Sequence, residues 1–217
     1  MPSVQLFATC LGDMLFPTVV ADTETLLRDA GFDVLFPRGQ VCCGQPAFNS
    51  GHNAAARRVA RTFERAFSRD LPVVTPSGSC AVMLHAYGVW ELSAFLDAHG
   101  IALPQRNAGR RVAYHDSCHM SRELGIVEPP RRLLAQTGAT LVPLPRPDLC
   151  CGFGGTFMVR QPEVSLAMAD DKLAGAAGLD ALVTSDPGCL LNLSGRSEHE
   201  GGVRVVHLAT ALARGVA

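Results

Sequence analysis

Short apolar runs alternate with longer amphipathic stretches along this chain. Residues 4–9, 32–36 and 72–75 read as strands in the first part, and residues 111–116, 139–144, 181–185 and 203–206 in the second. Helical spacing covers residues 17–30, 53–69, 91–99, 131–137 and 162–177, with a short helix at the end; Pro17 suits a first turn and Gly31 a stop. Residues 37–51 and 149–157 read as loops, and Asp186-Pro187-Gly188 as a turn. Local sequence recurs: Val73-Val74-Thr75 matches Leu182-Val183-Thr184, and Leu26-Leu27 before Gly31 matches Leu133-Leu134 before Gly138. The order predicts an α/β fold of two pseudo-symmetric repeats, residues 1–105 and 106–217. Each is a small parallel sheet flanked by helices.

Composition sharpens this picture in one respect. Of the 217 residues 47% are hydrophobic but only 18% charged, against roughly 25% in an average domain, which predicts surface covered by a partner or by the other half. A formal charge of −1 offers no basic footprint for nucleic acid and no polybasic patch for a membrane. No apolar run approaches the roughly 18–20 residues of a membrane span. The apolar N-terminus has no Lys or Arg ahead of it and carries Asp13, against a secretory signal. The chain reads as cytoplasmic, where thiols stay reduced and cysteine clusters serve metal or redox chemistry.

The eight cysteines carry the chemistry. Cys10 precedes Cys42-Cys43-Gly44 by the same interval as Cys118 precedes Cys150-Cys151-Gly152, and Cys80 and Cys189 follow their pairs at intervals that differ by one residue. Each cysteine or pair follows a predicted strand. Ligands of open α/β sheets collect beyond the carboxyl ends of the strands, so four thiols per repeat are expected to converge there. Helix N-termini and loop amides at that edge favour thiolate. Four sulfurs suit an iron–sulfur cluster or zinc. No short Cys-x2-4-Cys knuckle is present, and ligands drawn from widely spaced loops favour the larger object, with zinc as the alternative. The glycine after each pair permits the sharp turn that aims neighbouring side chains at one object.

His115 and His119 flank Cys118 and are read either as ligands or donors to a cluster, or as polar residues finishing a strand; His52 is read as a helix-start residue and His207 as an ordinary strand-end residue. There is no P-loop, no Gly-x-Gly-x-x-Gly between strand and helix and no Gly-x-Ser-x-Gly elbow, and no catalytic residue is assigned. A flavin or nicotinamide would sit on a partner.

The paired Cys-Cys-Gly motifs resemble the CCG cysteine-rich domain found in the B subunit of heterodisulfide reductase, the iron–sulfur subunit of glycolate oxidase and the C subunit of anaerobic glycerol-3-phosphate dehydrogenase. Residues 42–51, Pro76-Ser77-Gly78-Ser79-Cys80, His115-Asp116-Ser117-Cys118-His119 and residues 150–157 look most like the lactate utilisation protein A family. The resemblance covers nearly the whole chain. It implies a cytoplasmic iron–sulfur electron-transfer component of a system oxidising L-lactate to pyruvate, an oxidoreductase subunit acting with companion proteins that carry further redox centres. One cluster per repeat would be held by Cys10, Cys42, Cys43 and Cys80, and by Cys118, Cys150, Cys151 and Cys189. In the heterodisulfide reductase pattern each unit ends in Cys-x-x-Cys; here Ser77 and Asp186 stand at the first of those positions. Four cysteines per half favour a [4Fe–4S] cluster, or one with an oxygen ligand. The connection from Cys80 to Cys118 is shorter than that family leads one to expect. The other readings are a zinc-stabilised or metal-free scaffold and a thiol–disulfide redox protein.

Overall fold

The computed structural model describes residues 1–217. The first half runs β1 (Ser3–Leu6), α1 (Cys10–Leu15), α2 (Pro17–Asp29), β2 (Asp33–Leu35), α3 (Gln45–Asn49), α4 (Asn53–Ala66), β3 (Val73–Thr75), α5 (Gly78–Met83), a 3-10 turn (His85–Tyr87), β4 (Val89–Glu91) and α6 (Leu92–His99). The second runs β5 (Arg111–His115), a π-helical turn (His119–Glu123), α7 (Glu128–Gln136), β6 (Thr140–Leu141), α8 (Phe157–Arg160), α9 (Pro162–Ala174), β7 (Ala181–Thr184), α10 (Pro187–Glu200), β8 (Val205–His207) and α11 (Leu208–Ala213). All strand pairings are parallel, in the orders β2-β1-β3-β4 and β6-β5-β7-β8. The α/β class and the two matched sheets expected from the sequence are present. The central strands β3 and β7 are buried throughout, which is why they read as continuous apolar runs without alternation.

One core is shared by both halves. Leu26, Leu27, Phe95 and Leu96 of α2 and α6 pack in the same cluster as Leu133 and Leu134 of α7 and Leu208 and Leu212 of α11. Helix α2 lies against α11 and α6 against α7, related as by a twofold axis. Ion pairs follow the same relation, Arg132 to Asp97 and Arg214 Nε to Asp22 Oδ1 at 2.6 Å. The missing charge in the composition is thus explained by one half covering the other. On the opposite face each sheet has its own smaller core. One contains Phe7, Cys43, Phe63, Phe67 and Cys80, and the other contains Cys151, Ala169, Ala176 and Cys189.

Several expected elements are corrected. The strand placed at 4–9 ends at Leu6, because Thr9 turns at φ 67 and caps α1 through Gly12 N. The loop 37–51 holds α3, which starts from Gly44. The strand at 139–144 shrinks to β6, since Pro143 and Pro145 bring no N–H to a ladder. The turn at 186–188 is the start of the fourteen-residue helix α10: Asp186 caps it and Pro187 occupies its first position. Strand β4 was not expected; its three residues leave Trp90 exposed. No helix is long and apolar enough to cross a membrane.

Candidate metal centre

The loops after the strands bring the eight free cysteines into two groups. In the first, Cys10 and Cys80 lie in the first turns of α1 and α5, and Cys42-Cys43 lies in the loop before α3. Thiol contacts run from Cys10 to Cys42, to Cys43 and on to Cys80, the last two Sγ atoms 3.2 Å apart. In the second, contacts run from Cys118 to Cys150, to Cys151 and to Cys189, the last two Sγ atoms 3.1 Å apart. Each predicted set of four is therefore brought together. Cys43, Cys80, Cys151 and Cys189 are buried, and the other four are half-buried.

The backbone is shaped to allow this. Gly44 adopts φ 94 and donates its N–H to Cys42 Sγ at 3.4 Å; Gly152 adopts φ 87 and donates to Cys150 Sγ at 3.5 Å. A Cβ at Gly152 would stand 2.5 Å from the Ser165 carbonyl oxygen, so the loop lies directly on α9. Hydrogen bonds from Cys10 and Cys43 stabilise the Cys42 thiolate and pull its pKa down to about 2; Cys118 and Cys151 repeat the pattern, with Cys150 at about 2. The donors Cys10, Cys43, Cys118 and Cys151 are pushed up, first by these same bonds and then by burial. Each group thus has one thiolate ready to bind metal.

Ser77 and Asp186 occupy equivalent cap positions and are bonded to each other. Asp186 Oδ2 accepts from Ser77 Oγ at 3.2 Å and from Ser79 N at 2.8 Å, and its Oδ1 accepts from Gly188 N at 2.9 Å; Ser77 Oγ accepts from Cys80 N at 3.3 Å. Their oxygens cap helices and join the halves. The two cysteine groups flank this junction, and the first opens into a cavity of about 250 Å³ whose opposite wall carries Phe153 and Pro187 of the second half.

His119 is half-buried, 2.7 Å from Gln45 Nε2 through its own Nε2 and 3.6 Å from Cys118 Sγ through Nδ1. His115 is fully buried beside Cys151 and Cys189, and neither ring nitrogen has a hydrogen-bond partner. Burial, and then the charge of Lys172, push its pKa down to about 3, so the ring is neutral. His207 does more than end a strand: Nδ1 caps α11 through Ala209 N, and Nε2 lies 3.1 Å from the Pro76 carbonyl in the other half. The sequence reading missed Lys172, buried with Nζ donating to the Arg146 and Pro147 carbonyls. No motif marks it in the sequence. Four converging thiols with loop amides aimed at sulfur are a donor set that fits a sulfur-ligated metal centre.

Comparison with known proteins agrees with this architecture. The family model for the CCG cysteine-rich domain matches twice, at residues 4–85 and 112–194. Lactate utilization protein A of Exiguobacterium sp. (strain ATCC BAA-1283 / AT1b) is 39% identical over 244 residues, covering 100% of this chain and 99% of that one. Lactate utilization protein A 2 of Bacillus cereus (strain AH820) is 38% identical over 238 residues, covering 98% of each. Among solved structures, aspartate racemase of Picrophilus torridus aligns over 99% of this chain and 91% of that one at 8% identity, with a TM-score of 0.43, too remote to bear on fold or chemistry. The chain belongs to the CCG cysteine-rich domain family and, within it, to the lactate utilization protein A proteins.

Proposed function

We propose that this chain is the iron–sulfur electron-transfer subunit of a multiprotein system that oxidises L-lactate to pyruvate, its two halves, residues 1–105 and 106–217, each holding one [4Fe–4S] cluster. The observation that carries this reading is the convergence of two equivalent sets of four thiols at neighbouring strand ends. Cys10, Cys42, Cys43 and Cys80 would hold one cluster, and Cys118, Cys150, Cys151 and Cys189 the other. A cluster supplies a one-electron carrier whose potential follows burial and hydrogen bonds to sulfur. The chain's own groups supply the rest. Cys42 and Cys150 present thiolate, the Gly44 and Gly152 amides stabilise it, and the buried members exclude water. The relatives' names support lactate as the substrate of the whole system, whose other members are companion proteins with further redox centres.

A second reading has one observation in its favour: His115, Cys151 and Cys189 offer ligand atoms all within 4.8 Å of one another, a spacing that suits a single zinc ion. Gene deletion in the source organism tests the proposed role. Loss of growth on L-lactate, restored by the wild-type gene but not by Cys43→Ser or Cys151→Ser, is the expected result. Restoration by both variants would leave the scaffold reading in its place.

A further inference from the structure

The two cysteine groups are built alike but backed differently. The repeat relation that pairs Cys10 with Cys118 and Cys80 with Cys189 pairs Phe7 with His115. The helices behind the loops align through their contacts with the loop glycines, Ala56 and Val59 on Gly44, and Ser165 and Met168 on Gly152. That register pairs Phe63 with Lys172 and Phe67 with Ala176. Behind Cys43 and Cys80, then, stands an aromatic wall, with Phe7 at 5.5 Å from Phe63 and 5.6 Å from Phe67 between ring centroids. Behind Cys151 and Cys189 the same places hold a buried imidazole without a partner and a buried ammonium.

An unpartnered imidazole inside a protein is costly, and it persists where a ligand satisfies it. The Sγ atoms of Cys151 and Cys189 lie within 4.8 Å of His115, and sulfur as thiolate or sulfide only accepts. We propose that His115 donates an N–H hydrogen bond to sulfur of the second centre and, with the charge of Lys172 behind it, makes that centre the first of the two to accept an electron. The proposal rests on the cluster reading given above. Reduction adds one negative charge to a centre; a hydrogen-bond donor and a cation favour that charge, and a phenyl wall does not. One electron arrives from a partner's iron–sulfur centre, which is oxidised by one, and no bond or proton moves.

The test is an EPR-monitored redox titration of the full chain reconstituted anaerobically with iron and sulfide. Cys43→Ser identifies the signal of the second centre by removing the first. Wild type is expected to show two midpoint potentials, the higher belonging to the second centre. His115→Phe should lower that potential and leave the other unchanged, and His115→Gln, which keeps an N–H, should recover part of the shift. Protein labelled with 15N-histidine and carrying His119→Gln, which removes the imidazole 3.6 Å from Cys118 Sγ, should still show weak nitrogen hyperfine coupling in the reduced second centre, which decides the matter even if His115→Phe does not fold. Potentials that ignore position 115, no coupling, or the strong coupling of a direct ligand would each overturn the donor role while leaving the cluster reading intact. Protein that takes up zinc and shows no reducible cluster would overturn both.

Discussion

At the scale of single residues, the cysteine groups depend on two glycines and two thiolates. Gly152 holds φ 87, and an added Cβ would meet the Ser165 carbonyl at 2.5 Å. The left-handed conformation alone costs a side chain about 1–2 kcal/mol, and the clash is with backbone. Gly152→Ala is therefore expected to lower stability by about 2 kcal/mol or more and to empty the second centre, read by thermal unfolding and metal content. Gly44→Ala, whose contact with the Ala56 carbonyl is 3.2 Å, should do less. The thiolates make a second prediction, for metal-free protein. With its pKa held near 2 by donors from Cys10 and Cys43, Cys42 stays ionised as the pH falls. Iodoacetamide labelling of Cys42 and Cys150, followed by peptide mass spectrometry, should be nearly flat between about pH 5 and 8. An ordinary thiol slows about tenfold per unit over the same range; a slope of that kind at Cys42 would contradict the donor arrangement.

At the scale of elements, two helix starts titrate in opposite senses. Glu91 caps α6 by accepting from Ser93 N at 2.8 Å and Ala94 N at 3.2 Å, and His207 caps α11 at the equivalent place in the other half. Burial raises Glu91 from 4.5 to about 7 and lowers His207 from 6.5 to about 4. Between pH 4.5 and 7 the folded state keeps a proton on Glu91 that the unfolded chain has lost, so this contribution declines as pH rises. Between pH 6.5 and 4 the unfolded chain binds a proton that buried His207 refuses, so that contribution declines as pH falls. Urea unfolding across this range should show Glu91→Gln removing the first slope and His207→Gln the second. These caps also show what the sequence could reveal. Helix α2 was legible from its Pro17 start and 3.6-residue spacing, and matches to within a residue. Helix α10 was not, because Asp-Pro-Gly signals a turn as strongly as it signals a capped helix start, and the apolar face that continues it is decided by packing against β8 and α9. Strand β4 is too short to show a period at all.

At the scale of the whole molecule, the halves are joined by a shared core, by ion pairs between their helices and by polar contacts that include the Ser77–Asp186 junction. Asp186 is buried and accepts three hydrogen bonds, one within its own helix start and two from the other half. Asp186→Ala strands those donors and is expected to cost about 2–4 kcal/mol, with Asp186→Asn retaining part of it; calorimetry of the two variants reads the difference. The grouping of the eight cysteines was legible in the sequence because the spacing repeats and each cysteine follows a strand. The difference between the groups was not, since it lies in Phe7 against His115 and Phe63 against Lys172, positions that carry meaning only once the halves are superposed. Ser77 and Asp186 likewise looked like substitutes for a ligand; the fold uses them as caps that meet across the two halves.

The central claim is that each half holds its own sulfur-ligated cluster. Iron, sulfide and zinc analysis combined with EPR of anaerobically prepared protein tests it most directly, on the wild type, Cys43→Ser, Cys151→Ser and the double variant. Iron and sulfide in equal amount, two reducible centres in the wild type, one in each single variant and none in the double is the predicted result. Zinc without sulfide, or a reducible centre that survives in the double variant, would contradict it.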